Sequence, residues 1–125
     1  MRDLWRKIVS ELMTPDDYQR DWYGHATNQA GHAWVIGFPA GLALAGLGPI
    51  WAAYLSGAVY LAVWEFAIQR RGRRADQIED AGHVALAALC GAGCEASGWA
   101  VAGWLMSVIL IAAGVVRRIK SSSGS

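Results

Sequence analysis

The stretch Ala33–Trp64, AWVIGFPAGLALAGLGPIWAAYLSGAVYLAVW, contains no Asp, Glu, Lys or Arg. An uncharged apolar run of about 18 residues is enough to cross a hydrocarbon core of roughly 30 Å. This one has room for two crossings, with a natural break inside it. Gly46-Leu47-Gly48-Pro49 combines residues that end one helix and start another. The reading is a helical hairpin in lipid. Working outward, Ala96–Val116 is a second uncharged run, long enough for a further crossing.

The composition agrees in direction: 54% of the residues are hydrophobic and 17% charged, against roughly 25% charged in an average soluble domain. The formal net charge of +1 provides no global field for a polyanion, so nucleic acid is not an expected partner. The basic residues are local. Arg70, Arg71, Arg73 and Arg74 follow the first uncharged run, and Arg117, Arg118 and Lys120 follow the second. Basic runs at the ends of apolar segments orient helices toward the cytoplasm. No cleavable signal peptide is expected, because the opening MRDLWRKIVSELM is charged throughout.

These features predict an all-α integral membrane bundle. Four transmembrane helices form two hairpins, with spans at about 31–47, 50–69, 78–95 and 98–116. Residues 1–120 make one membrane domain, and 121–125, SSSGS, read as a linker or tag remnant. Residues 2–13 place Leu4, Trp5, Ile8, Val9 and Leu12 along one helical face, as in an amphipathic helix lying in the headgroup layer. Thr14-Pro15-Asp16-Asp17 reads as the start of the next helix, which runs through Trp22 and Tyr23 into the first span. The third span is short, since Ala81 to Cys94 rises only about 21 Å. The alternative is one bent helix over 78–116, giving three spans. Charge bias favours four, because the basic N-terminus, the RRGRR loop and RRIK then share one side. An inner-membrane location with both termini cytoplasmic follows.

Small residues recur every fourth position, as at Gly37, Gly41 and Ala45, and at Ala88, Ala92, Ala96 and Ala100. Such rows let helix backbones approach closely in lipid, within one chain or between copies. A homo-oligomer or a membrane partner is expected besides the bilayer itself. Cys90 and Cys94 read as small apolar residues at a helix contact, and Glu95 as part of the outer turn.

Two polar groups interrupt the apolar pattern. On DWYGHATNQAGH, Asp21, His25, Asn28, Gln29 and His32 fall on one helical face. On ADQIEDAGH, Asp76, Glu79, Asp80 and His83 do the same. Glu65 lies one turn before the basic loop. The four-span topology puts all of them at the cytoplasmic boundary, where ionisable groups turn inward or toward water. Imidazoles and carboxylates at one level suggest a divalent metal site or a proton relay. The candidate ligands are His25, His32, Glu65, Asp80 and His83, with Asp21, Asn28, Gln29, Asp76 and Glu79 completing the polar face.

Asp80-Ala81-Gly82-His83-Val84-Ala85 resembles the Asp-x-Gly-Ser-Ala-Ala segment of the small bacterial diacylglycerol kinases, and Asn28-Gln29-Ala30 their Asn-Glu-Ala. Their Glu-x-x-Asn-(x)3-Glu motif is absent, with Ile68 and Gly72 at the corresponding spacing after Glu65. Kinase activity is therefore not implied. Three functions fit the residues. One is a membrane protein whose polar site binds metal or acts on a lipid headgroup. The second is an oligomeric, holin-like permeabilising protein. The third is an accessory subunit of a membrane complex.

Overall fold

The computed structural model describes Arg6 and residues 21–69, 74–94 and 97–123, with the side chains of 65–69, 74 and 97 excepted. The expected interfacial helix at 2–13 and the start at Thr14–Asp17 lie outside the described residues, apart from Arg6. Every described element is helical.

Helix α1 spans Trp22–Gly31. Asp21 does not continue a helix begun at Thr14; it starts this one. Its backbone is extended, and its carboxylate accepts from the amides of Tyr23 and Gly24 at 3.0 Å each. An aspartate in that position satisfies amides that have no helical partner. The polar-face role expected for Asp21 is therefore a capping role.

The chain then passes through a π-helical segment, His32–Gly37, into α2, Phe38–Ala43. The amide of Phe38 bonds back to the Ala33 carbonyl, five residues earlier. Pro39 follows and has no amide to donate, and its ring crowds the carbonyl four residues back. The wider turn accommodates it. A 3₁₀ turn at Ala45–Leu47 leads to Gly48 at φ 85°, a left-handed conformation that favours glycine. Helix α3, Pro49–Val59, begins with proline in its first turn and continues as a second π-helical segment, Tyr60–Gln69. Helix α4 is Arg74–Ala92 and α5 is Ser97–Ser123.

Residues 78–116 do not run as one continuous helix. The chain turns at Gly93 and Cys94, and α5 packs back along α4. A methyl group on Gly103 would sit 2.6 Å from the Cys90 nitrogen, so glycine is what permits that approach. Helix α5 also runs past Arg118 to Ser123, further than the expected end at 116. Ser121, Ser122 and Ser123 donate their hydroxyls to carbonyls one turn back, which carries the helix into the tail read as a linker.

Helix α4 is the hub and packs against α2, α3, α5 and the first π-helical segment. The expected small-residue row works here: a Cβ on Gly37 or Gly41 would collide with the α4 backbone at Val84 or Ala88. The core is made of small or polar groups. Ala33, Ala52, Ala87 and Ala88 are fully buried, and the largest fully buried side chains include His25, His32, His83 and Gln29. Large apolar side chains face outward, among them Trp51, Tyr54, Val101 and Ile109.

Among the described helices, one, Gly98–Ser123, is long and apolar enough to cross a membrane by length and composition; Pro49–Trp64 is apolar but shorter. A π-helical segment separates α1 from α2, and α4 carries Asp76, Glu79 and Asp80 before it ends at Ala92.

A candidate imidazole–carboxylate site

Four helical segments converge on one polar cluster. His25 and Gln29 come from α1, one turn apart, and His32 opens the first π-helical segment. Asp80 and His83 lie one turn apart on α4. Tyr60 opens the second π-helical segment and meets His32 edge-on, with ring centroids 5.5 Å apart. Both π-helical segments therefore begin at residues of the cluster, a common placement for such irregularities.

Asp80 is the centre of the inner half. The Gln29 amide donates to its Oδ1 at 2.6 Å, and His32 Nδ1 stands 3.5 Å from the same oxygen. His83 lies within electrostatic reach of Asp80, His25 and His32. The outer half is built on Glu79. Its Oε1 is 3.7 Å from His25 Nε2 and accepts from the Arg117 guanidinium at 3.4 Å. Glu79 thus links buried His25 to Arg117, which is 66% exposed on α5.

Helix α5 admits His25 by being small where the ring meets it. A Cβ on Gly114 would overlap His25 Nε2. The Gly114 carbonyl accepts from buried Arg118 at 3.3 Å. Between α4 and α5 opens a cleft of about 480 Å³, walled by Ile78, Gly82, Leu110 and Ala113, with His83, Glu79 and Arg117 as its polar groups. On the far side, an apolar cavity of about 420 Å³ is bordered by Tyr60, Trp64 and Val84.

The cluster is under-bonded. Both ring nitrogens of His83, Nε2 of His32 and the Gln29 carbonyl oxygen are buried without a hydrogen-bond partner among the described residues. A buried polar group left unmet costs about 1–3 kcal/mol, and most buried polar groups in folded proteins are bonded.

Of the sequence candidates, His25, His32, Asp80 and His83 are brought together, with Gln29 and Glu79 beside them. Asp21 caps α1. Asn28 and Asp76 are half-buried at the edge. The Glu65 side chain lies outside the described residues. Among the described residues, no three His, Cys, Asp or Glu side chains are arranged to hold a metal ion.

Sequence reasoning missed Gln77, Tyr60, Arg118 and Gly114. Gln77 is buried three residues before Asp80, and the helical spacing that grouped Asp80 with His83 could have included it. Tyr60 and Gly114 carry no such signal, because their roles depend on which helix faces them. No family model, no curated protein and no solved structure matches this chain.

Proposed function

We propose that this chain is a multi-pass membrane protein whose buried imidazole–carboxylate cluster works at the cytoplasmic boundary, moving protons at the headgroup of an amphiphile. The observation that carries the reading is the inverted core. Among the described residues, three imidazoles and Gln29 are the bulkiest fully buried groups, while many large apolar side chains, Trp51, Tyr54, Val101 and Ile109 among them, face out. In water that arrangement exposes what should be hidden. In lipid, large apolar groups outside and polar groups inside are the stable choice.

The crossings are those of two hairpins, with α5 as the long apolar helix and the basic runs on the cytoplasmic side. Imidazole and carboxylate in mutual reach are suited to exchanging a proton. Unmet nitrogens on His32 and His83 leave donors and acceptors available to a bound headgroup. The permeabilising and accessory-subunit readings give no reason for under-bonded imidazoles at one level.

The test is His83→Leu. Replacing an unmet buried imidazole by an apolar group of similar size is neutral or stabilising if the residue serves function rather than fold. The expected result is unchanged or higher thermal stability in detergent, together with failure to complement a deletion in the native host. Full complementation removes the proposal. A stoichiometric metal that His83→Leu releases would replace it with a metal centre.

A further inference from the structure

The cleft between α4 and α5 joins an unmet imidazole to a pair of opposite charges. His83 is fully buried, borders the cleft, and has no hydrogen-bond partner on either ring nitrogen among the described residues. Glu79, 27% exposed, and Arg117, 66% exposed, face each other across its rim at 3.4 Å. Exposed pairs of this kind contribute little stability, so they exchange partners readily. The volume of about 480 Å³ falls in the usual range for small-ligand sites, about 300–1,000 Å³.

We propose that this cleft binds the headgroup of a zwitterionic phospholipid bearing a primary ammonium. The inference rests on the membrane-site reading above and names the ligand class of that site. The phosphate replaces Glu79 on Arg117, whose planar guanidinium favours phosphate oxygens, and accepts a hydrogen bond from His83. The ammonium, with its N–H donors, goes to Glu79. Two opposite charges meet two opposite charges, so no charge is left uncompensated. A monoanionic headgroup would place its phosphate near a Glu79 carboxylate that has lost Arg117. A quaternary ammonium would offer Glu79 no N–H. Depth agrees as well: Arg117 is the first charged residue after the uncharged run 96–116, which is where lipid phosphates lie. Exposed Ile78 and Leu110 border the cleft and give acyl chains an apolar way out.

The experiment uses the full chain in phosphatidylcholine nanodiscs doped with phosphatidylethanolamine or phosphatidylglycerol. Lipid retention is read by native mass spectrometry. The ¹⁵N imidazole signal of His83 is assigned with His83→Gln. Phosphatidylethanolamine should be retained at least tenfold over the other two lipids and should move the His83 signal. Glu79→Gln should erase the preference, and Arg117→Gln should abolish retention. Both positions are near the surface, and helical circular dichroism and monodisperse elution confirm their folding. Equal retention of the three lipids, or a preference that survives Glu79→Gln, overturns the proposal. A His83 response to free O-phosphoethanolamine without one to the lipid also overturns it, by assigning the cleft to a soluble ester. If selectivity fails while His83→Leu still abolishes complementation, only the ligand assignment falls. Selectivity in a protein whose His83→Leu variant complements fully would remove the functional reading and leave a lipid-binding cleft.

Discussion

Gly114 offers a quantitative check on the packing of the site. Two effects oppose each other in Gly114→Ala. Alanine is the better helix former by about 0.8–1.0 kcal/mol. Against this, its methyl group would overlap Nε2 of His25. The imidazole is fully buried between α1 and α5, so it cannot swing into solvent. Forcing a methyl group into a filled site costs about 1–3 kcal/mol, and the clash wins by about 1 kcal/mol. Gly82 on α4 provides the control, because nothing lies within 4 Å of a Cβ built there. Gly82→Ala should stabilise by up to about 1 kcal/mol from propensity alone. The assay is equilibrium unfolding in mixed micelles, followed by far-ultraviolet circular dichroism, on both variants and on His25→Ala with and without Gly114→Ala. With the imidazole removed, Gly114→Ala should turn from destabilising to stabilising. That sign reversal is the coupling between the two positions. If Gly114→Ala is as stable as Gly82→Ala in the His25 background, the α1–α5 contact is not as described, and the placement of His25 beside Glu79 loses its basis.

Two further outcomes follow from the polar contacts. Asp21→Ala removes the acceptor for the Tyr23 and Gly24 amides and should cost about 0.5–2 kcal/mol, with Asp21→Asn recovering most of it; equal stability of the alanine and asparagine variants in the same unfolding assay would argue that the cap is idle. Asp80→Ala strands the Gln29 amide, which donates to Asp80 at 2.6 Å, and should cost about 1–3 kcal/mol, whereas the double change Gln29→Leu with Asp80→Leu should lie closer to wild type than Asp80→Ala does; additive losses in the double variant would show that the pair does not act as a unit.

The reach of the sequence can be stated residue by residue. Spacing alone placed His25, Gln29 and His32 on one helical face and Asp80 with His83 on another, because 100° per residue is a local property of any helix. The break at Gly48-Pro49 was equally legible, since a left-handed backbone and a missing amide leave few alternatives. The uncharged runs at 33–64 and 96–116 and the basic residues that end them were visible in the same way. Local rules could not supply the rotation of each helix about its axis. Asp21 looked like a member of the polar face and became a cap because its own backbone turned extended. Tyr60 had no place in either polar face by spacing, yet it lies against His32. The π-helical segments at 32–37 and 60–69 also shift the helical phase, which a constant period cannot foresee.

Local spacing was therefore enough for the turn between α2 and α3 and for which polar residues share a face. What only the tertiary structure decided was that those faces meet: that α4 lies at the hub, that Gly37 and Gly41 seat against its backbone, and that Gly114 leaves a notch for His25. The physical reason is that periodicity is set by backbone geometry within a few residues. The meeting of two faces depends on close packing between segments far apart in the chain, where the absence of a single methyl group fixes how near one helix comes to another.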